Sequence, residues 1–471
     1  MATLFLHVHF PSLIRIVGTR LGAILPHMEQ TKSSRYLMPF MVMTALFFML
    51  GFITVLVDAL IPRLKEVFEL TYLQAGLVQM AWFTAYGVFS IPGGGFIARF
   101  GYKTGIMVSL AMAGLGCALF YPAADTRTYT LFLLALFVVA GGLAILQVAI
   151  NPYISVLGRP GGESRRLSLA QAFNSLGTTI APMVAATYLL SDQIKSSSDI
   201  NALKEVEKMA YYAQEAAAVQ GPFLWLAGAF LSLALLVGII KLPQVLAQQA
   251  GAAAHYRAAW RNRKLRLGAV GIFVYVGAEV AIGSYMVNYG LSLEVAESLR
   301  GNALVNALVE FAAAIKGSSV SGMDAKAVIG ALLTFYWGGA MIGRFVGSAL
   351  MTRIAPNGLL GLFALMAAAM VFLSISAQGI LALVALLAVG LFNSIMFPTI
   401  FTLAIDELGA LKPLGSGILC TAIVGGAVVP PAVGKVADVS GGFGWAFVLP
   451  FACYLYILFY AFRVAKPEAE H

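Results

Sequence analysis

Twelve long apolar stretches separated by short polar breaks run from Tyr36 to the C-terminus, at about 37–62, 72–98, 103–121, 128–157, 166–190, 221–241, 266–290, 327–352, 357–376, 379–407, 413–438 and 443–463. A bilayer crossing needs about 20 mostly apolar residues. No water in hydrocarbon satisfies a backbone N–H or C=O, so each crossing segment must be a helix or part of a closed barrel. Stretches of this length and continuity specify helices. Composition agrees: 60% of the 471 residues are hydrophobic and only 11% are charged, against roughly 25% charged in a soluble domain. That balance excludes a soluble protein, a disordered chain and a disulfide scaffold. The 48 glycines suit closely packed membrane helices. The expected fold class is an all-α membrane protein of twelve transmembrane helices, with both termini on one side.

Lysine and arginine set the orientation. Nineteen of the 30 fall on the side of the termini and ten on the other, with Arg344 inside a span. Both termini are therefore expected in the cytoplasm. The +9 net charge then serves topology and contact with anionic lipid rather than nucleic acid. Residues 1–35 are basic and too interrupted to span, and are expected to form a cytoplasmic tail, with Met28 as an alternative start. An N-terminal six-helix half at 36–241 follows. A basic cytoplasmic linker at 242–265 joins it to a second six-helix half at 266–463, and 464–471 is a cytoplasmic tail.

Catalytic and metal chemistry find no support. Cys117, Cys420 and Cys453 are scattered through apolar runs, and the five histidines lie in the tails or one loop. No H-E-x-x-H, G-x-S-x-G or complete phosphate loop occurs. Disulfides, metals, cofactors and an enzymatic function are not expected.

The halves look related. Asn151-Pro152 matches Phe397-Pro398 at an offset of 246, which sets Gln147 against Asn393. Gly177 and Pro182 match Gly425 and Pro430 at an offset of 248, and Gly93 with Arg99 matches Gly347 with Arg353 at 254. Three matches in order at nearly one offset indicate a duplicated six-helix unit, pseudo-symmetric about the linker. Repeats of this kind place the substrate site between them, near the bilayer midplane.

An ionisable group at mid-bilayer costs at least ~2.5 kcal/mol on insertion scales, so each one needs a reason. Asp58, Glu279 and Arg344 are the three. Asp58 stands in an apolar run, which suits a group that binds and releases a proton; the alternative is a bond to a neighbouring helix. Glu279 has Ser284, Tyr285 and Asn288 within three turns. A carboxylate among hydroxyls and amides suits a sugar ligand, or it is a structural partner for Arg344. Arg344 has three options: Glu279, Asp58 or backbone carbonyls. Amides recur at Gln79, Gln147, Asn151, Gln171, Asn174 and Asn393. Each both donates and accepts, which matches a neutral polyhydroxylated ligand, although such groups also tie helices together. Gln147 and Asn174 are read as ligand contacts and Asn151-Pro152 as a kink. Trp82, Tyr86, Tyr336 and Trp337 are candidates to stack on a sugar face or simply to pack.

The strings Gln147-Val-Ala-Ile-Asn151-Pro152-Tyr153, Leu-Ala-Gln171-Ala-Phe-Asn174-Ser-Leu-Gly177, Gly-Ala-Glu279-Val-Ala-Ile-Gly-Ser284-Tyr285 and Phe397-Pro398-Thr399-Ile400-Phe401 resemble the fucose:proton symporter family of the major facilitator superfamily. The likeness runs from about residue 37 to 463. Gln147 and the Glu279 string look more like the glucose/galactose transporters of that family than its fucose-transporting members. The resemblance implies the major facilitator fold and a secondary transporter that imports a neutral hexose by proton symport, with alternating access. It implies Asp58 and Glu279 for proton coupling, and Gln147, Gln171, Asn174, Glu279, Asn288, Asn393, Tyr336 and Trp82 for the sugar. Arg344, Asn151 and Pro152 would serve structure and gating. Sodium coupling through Asp58 and Thr54 is the close alternative, and a sugar receptor without transport is the alternative of another class. The implied setting is a bacterial inner membrane and the implied unit a monomer. Three departures stand out, one of them Val57, where family members often carry an asparagine just before the span-one aspartate. Fucose-transporting members carry a glutamate where this chain has Gln147. The superfamily's loop after the second span usually has an aspartate where Arg99 stands, so the latch that this loop forms on a helix end is in question.

Overall fold

A computed structural model describes residues 34–67, 72–188, 203–243, 252–295 and 325–465, with four single positions between 303 and 310. The side chains of 57–79, Asp58 and Gln79 among them, lie outside the described set, as does that of Pro182. A helix occupies each of the twelve apolar stretches. The first half holds α1 (Ser34–Val67), α2 (Tyr72–Phe100), α3 (Tyr102–Asp125), α4 (Tyr129–Ser155), α5 (Glu163–Tyr188) and α6 (Glu205–Ile239). The second holds α7 (Arg263–Ser292), α8 (Ala325–Leu350), α9 (Pro356–Ser376), α10a (Gly379–Asn393), α10b (Met396–Ile405), α11a (Lys412–Thr421), α11b (Gly425–Ser440), α12a (Phe443–Ala446) and α12b (Val448–Phe459). Nine described helical stretches are long and apolar enough to cross a membrane, and one of them, Gly379–Ser440, runs for 62 residues, about three times what one crossing takes. The outward faces are apolar, as Trp225, Leu235 and Ile239 on α6 show; lipid is the solvent for such a face.

The pairing of helices repeats after six. In the first half α1 packs on α5, α2 on α4, and α3 on both α4 and α6; in the second, α7 packs on α11b, α8 on α10a, and α9 on both α10a and α12b. The glycines matched in the sequence explain why the offset is kept. A Cβ at Gly177 would stand 2.3 Å from Phe48 O, and one at Gly425 would stand 2.0 Å from Phe273 O. Both are where the fifth helix of a half presses on the backbone of the first. Gly93 rests on Ile145 and Gly347 on Ile395, the same contact between second and fourth helices.

Contacts between the halves follow the same two-fold. They join α2 to α11a and α5 to α8, and more weakly α4 to α11a and α5 to α10b. Exchanging each helix for the one six further on turns α2·α11 into α8·α5. α2 and α11a cross at glycines: a Cβ on Gly417 would lie 2.7 Å from Ser90 O, and one on Gly94 would lie 2.7 Å from Pro413 O.

The basic linker contains a helix, Ala252–Arg261, that was not read from the sequence. Its Tyr256 hydroxyl donates to Ile91 O and lies against the Gly94–Gly417 crossing. Burial raises this phenol above its ordinary value, so it remains a donor at any physiological pH. Tyr256→Phe removes one hydrogen bond worth about 1 kcal/mol and is expected to raise tryptic cleavage at Arg257 and Arg261 about fivefold. Unchanged cleavage would show that the hydroxyl does not hold this helix.

Near the same end Lys103 makes another contact, distinct from the aspartate latch that the departure at Arg99 puts in question. Lys103 Nζ donates to Gly238 O at 2.7 Å and Ile240 O at 3.0 Å, where a cation suits the carbonyl end of α6. Arg99 instead lies over the Phe100 ring, 5.2 Å from its centre. The turn that sets Lys103 needs Gly101, whose φ is 84°.

Candidate functional site

Proline chemistry shapes the middle of both halves. A proline has no N–H, so the carbonyl four residues earlier loses its helical donor. Pro152 in α4 frees Val148 O, and Ser416 Oγ of α11a donates to it across the halves at 2.8 Å. Pro398 in α10b frees Ser394 O, and Arg344 Nε donates to it at 3.2 Å. The two carbonyls are 246 residues apart, the offset already read from the sequence. Here α10 breaks between Asn393 and Met396, where one continuous span was expected. Asn151 donates Nδ2 to Cys420 Sγ at 3.9 Å, so the Asn151-Pro152 pair also takes part in the contact between the halves.

Around the α10 break the second half assembles a polar cluster. Tyr275, one turn before Glu279 on α7, donates its hydroxyl to Glu279 Oε1 at 2.8 Å. Tyr336 of α8 donates to Glu279 O at 3.2 Å and accepts from Asn393 Nδ2 at 2.8 Å. Asn393 Oδ1 and the Tyr454 hydroxyl of α12b are buried and make no hydrogen bond among the described residues. The two side chains are close enough to act on each other and belong to the same polar cluster beside Glu279. Tyr275 and Tyr454 were not singled out in the sequence. A tyrosine in an apolar run looks like packing, and only its spacing of four from Glu279 could have flagged Tyr275.

The first half supplies amides. Gln147 of α4 donates Nε2 to the Tyr86 hydroxyl of α2 at 2.9 Å, and Gln147 is half-buried. Asn174 of α5 donates Nδ2 to Phe47 O of α1 at 3.0 Å, at a crossing so close that a Cβ on Gly51 would meet Asn174 O at 2.1 Å. One of its donors is thus used as a tie between helices. Gln171 is buried, and its carbonyl accepts from Arg344 Nη1 at 3.3 Å. Of the remaining candidates, Trp82 is half-buried against the core, Tyr336 is buried with an edge-on contact to Trp337, and Asn288 is exposed. The structure therefore joins Glu279, Tyr336 and Asn393 in one cluster and sets Asn288 apart from it. Among the described residues Arg344 bonds backbone carbonyls, the third of its options, together with Ser175 Oγ; the Asp58 option lies outside the described residues.

A twelve-segment helical chain, built as two repeated halves that meet around mid-helix polar groups, is a transporter architecture. The Major Facilitator Superfamily model matches residues 41–431, and the chain belongs to that superfamily. A glucose/galactose transporter of Brucella abortus biovar 1 (strain 9-941) is 44% identical over 441 residues, 93% of this chain and 97% of that one. The L-fucose-proton symporter of Escherichia coli (strain K12) is 34% identical over 437 residues, covering 91% and 94%. A crystal structure of the superfamily transporter FucP in the outward conformation superposes with a TM-score of 0.80 at 33% identity, over 92% of this chain and all of that one.

Proposed function

We propose that this protein imports a neutral hexose, glucose or galactose, together with protons across a bacterial inner membrane, by alternating access between its two halves. The observation that carries the sugar class is the 44% identity, over nearly the full length of both chains, to a protein named as a glucose/galactose transporter. A similar protein named as a proton symporter supports the proton as the coupled ion. Asp58 is the proposed proton carrier. The sugar is proposed to sit between Gln147 and Asn174 of the first half and Glu279, Tyr336 and Asn393 of the second. A sugar hydroxyl needs both a donor and an acceptor, and Glu279, Gln147 and Asn393 offer that mixture.

Polarity follows from charge. The end at which α5, α8, α10b and α11a bring the halves together carries Arg159, Arg165, Arg257, Arg261 and Lys412, so the positive-inside rule places it in the cytoplasm. Contact there corresponds to an outward-facing state. A cysteine at Ala254 is expected to react with impermeant thiol reagent only from the inside, and labelling from outside in intact cells would reverse the orientation.

Counterflow of labelled glucose, galactose, fucose and mannose in proteoliposomes tests the sugar class. Exchange of glucose and galactose is expected, and exchange of none of the panel would reject the reading. Gln147→Ala is expected to weaken sugar affinity about 5- to 150-fold, because an unpaired sugar hydroxyl costs about 1–3 kcal/mol. Unchanged affinity in the folded variant would remove Gln147 from the site.

A further inference from the structure

The described partners of Arg344 reach across from one half to the other. A charged group in a span is normally countercharged, yet its described partners are all neutral: Ser394 O, Gln171 O and Ser175 Oγ. Two of the three belong to α5, in the opposite half. Glu279 is close enough for the Arg344 charge to act on it, but its carboxylate accepts from Tyr275 instead, and no ion pair joins the two among the described residues.

The contacts divide into a fixed part and a movable part. On the fixed side, α8 is pressed onto the α10 break: a Cβ at Gly343 would stand 2.4 Å from both Leu391 O and Ser394 Oγ. Tyr336 ties the same break to the backbone of Glu279 through Asn393. Arg344, Glu279 and the break therefore form one unit within the second half. On the movable side, the other described ties of α8 to α5 are slight: Thr179 Oγ1 to Met341 Sδ at 3.6 Å, Ser348 Oγ to Arg165 O at 3.1 Å and an edge contact of Phe173 with Phe345. Arg344 supplies the charge-assisted ones, which are roughly twice as strong as neutral bonds.

Rocking of the halves changes how α5 sits on α8. Arg344 would then lose Gln171 O and Ser175 Oγ while keeping Ser394 O, and the described carboxylate of its own half on which its charge acts is Glu279. We propose that Arg344 exchanges partners during the cycle, bonded to α5 of the opposite half in the state seen here and paired with the Glu279 carboxylate in the opposite state. Arg344 is then a positioning residue that links the occupancy of Glu279 to the arrangement of the halves. A ligand that engages Glu279 competes with the pair and so influences which state is favoured. The inference rests on the alternating-access reading above.

Cys420 provides a readout that needs no sugar. It is buried at the contact of α4 with α11a, so opening that end exposes it. Alkylation by N-ethylmaleimide, followed at Cys420 by mass spectrometry in the full-length protein without sugar, reports the opposite state. Glu279→Gln removes the partner available in that state and is expected to slow alkylation about tenfold, the factor that 1.4 kcal/mol corresponds to. Glu279→Asp keeps the charge and should restore the rate. Ser175→Ala loosens the grip on α5 and should speed alkylation. In an Arg344→Gln background the effect of Glu279→Gln should vanish; if that variant does not fold, the contrast of Gln with Asp at 279 still decides. An unchanged rate in Glu279→Gln, or no rescue by Asp, would overturn the exchange and leave Arg344 a static tie. A wild-type protein that exchanges no sugar yet shows this alkylation pattern would reject the sugar reading and keep the exchange.

Discussion

Asp58→Asn is expected to turn an accumulating transporter into an equilibrating one. In the sequence of α1, Asp58 follows Thr54-Val-Leu-Val and precedes Ala-Leu-Ile. A charged carboxylate at such a place is costly, so the helix passes through the cycle most easily when the group is neutral. On the proposed mechanism neutrality requires a proton, and this is how the proton gradient would enter the cycle. Asparagine keeps the shape and most of the hydrogen bonding but never ionises. The variant is permanently in the form that the proton normally creates. One pH unit is worth about 1.4 kcal/mol, which supports up to about tenfold accumulation for each proton carried. In Asp58→Asn the accumulation ratio should fall to about one while sugar binding and sugar–sugar exchange persist. Full proton-driven accumulation by the folded variant would move the proton site elsewhere, with Glu279 the first place to look.

Gly417→Leu should abolish turnover for a different reason. α2 and α11a touch at Gly417 and Gly94, where a Cβ on Gly417 would stand 2.7 Å from Ser90 O and 3.4 Å from Gly94 Cα. A backbone carbonyl in a helix cannot swing aside as a side chain can. Overpacking of this kind costs about 1–3 kcal/mol or more when the structure must absorb it. This contact lies between the halves, so the molecule can relieve the clash by separating them at that end. The state with that end closed is lost, and a cycle that lacks one of its two states does not turn. Transport should fall at least about tenfold for each 1.4 kcal/mol lost, with purified yield and helical content retained. Gly358→Leu is the control, because a Cβ there meets nothing within 4 Å. Normal turnover by folded Gly417→Leu would mean that closure of this end is not part of the cycle.

The spans and the repeat were legible in the sequence because each rests on a strong local cost. Long apolar runs have one solvent, and the glycines at 177 and 425 recur because the crossing of first and fifth helices leaves no room for a side chain in either half. Helix ends were less legible. α6 begins at Glu205, well before the apolar run at 221, since polar residues can extend a helix beyond the hydrocarbon. The α10 break was hidden for another reason: Asn393 and Ser394 sit inside a long, otherwise apolar run, and only Pro398 signalled a lost backbone bond. The linker helix was missed because its ten residues are fewer than a helix needs to be stable by itself, even with five alanines among them.

For the site, residue type was readable and partnership was not. Glu279, Asn393 and Tyr336 were named separately, but their convergence depends on the packing of α7, α8 and α10. Asn174 shows the limit from the other side. Its amide looked suited to a ligand, yet one of its donors serves α1. An amide within a span satisfies either demand, and sequence alone carries no distance with which to choose.

Movement of protons with sugar is the central claim, and external pH measures it directly. Proteoliposomes or membrane vesicles in weakly buffered medium, with no imposed gradient, receive a pulse of glucose or galactose while a pH electrode follows the medium. Proton symport predicts a prompt alkalinisation that is absent with a sugar that is not bound, absent in Asp58→Asn, and unchanged when sodium is replaced by potassium. Entry of labelled sugar with no pH change would contradict the account.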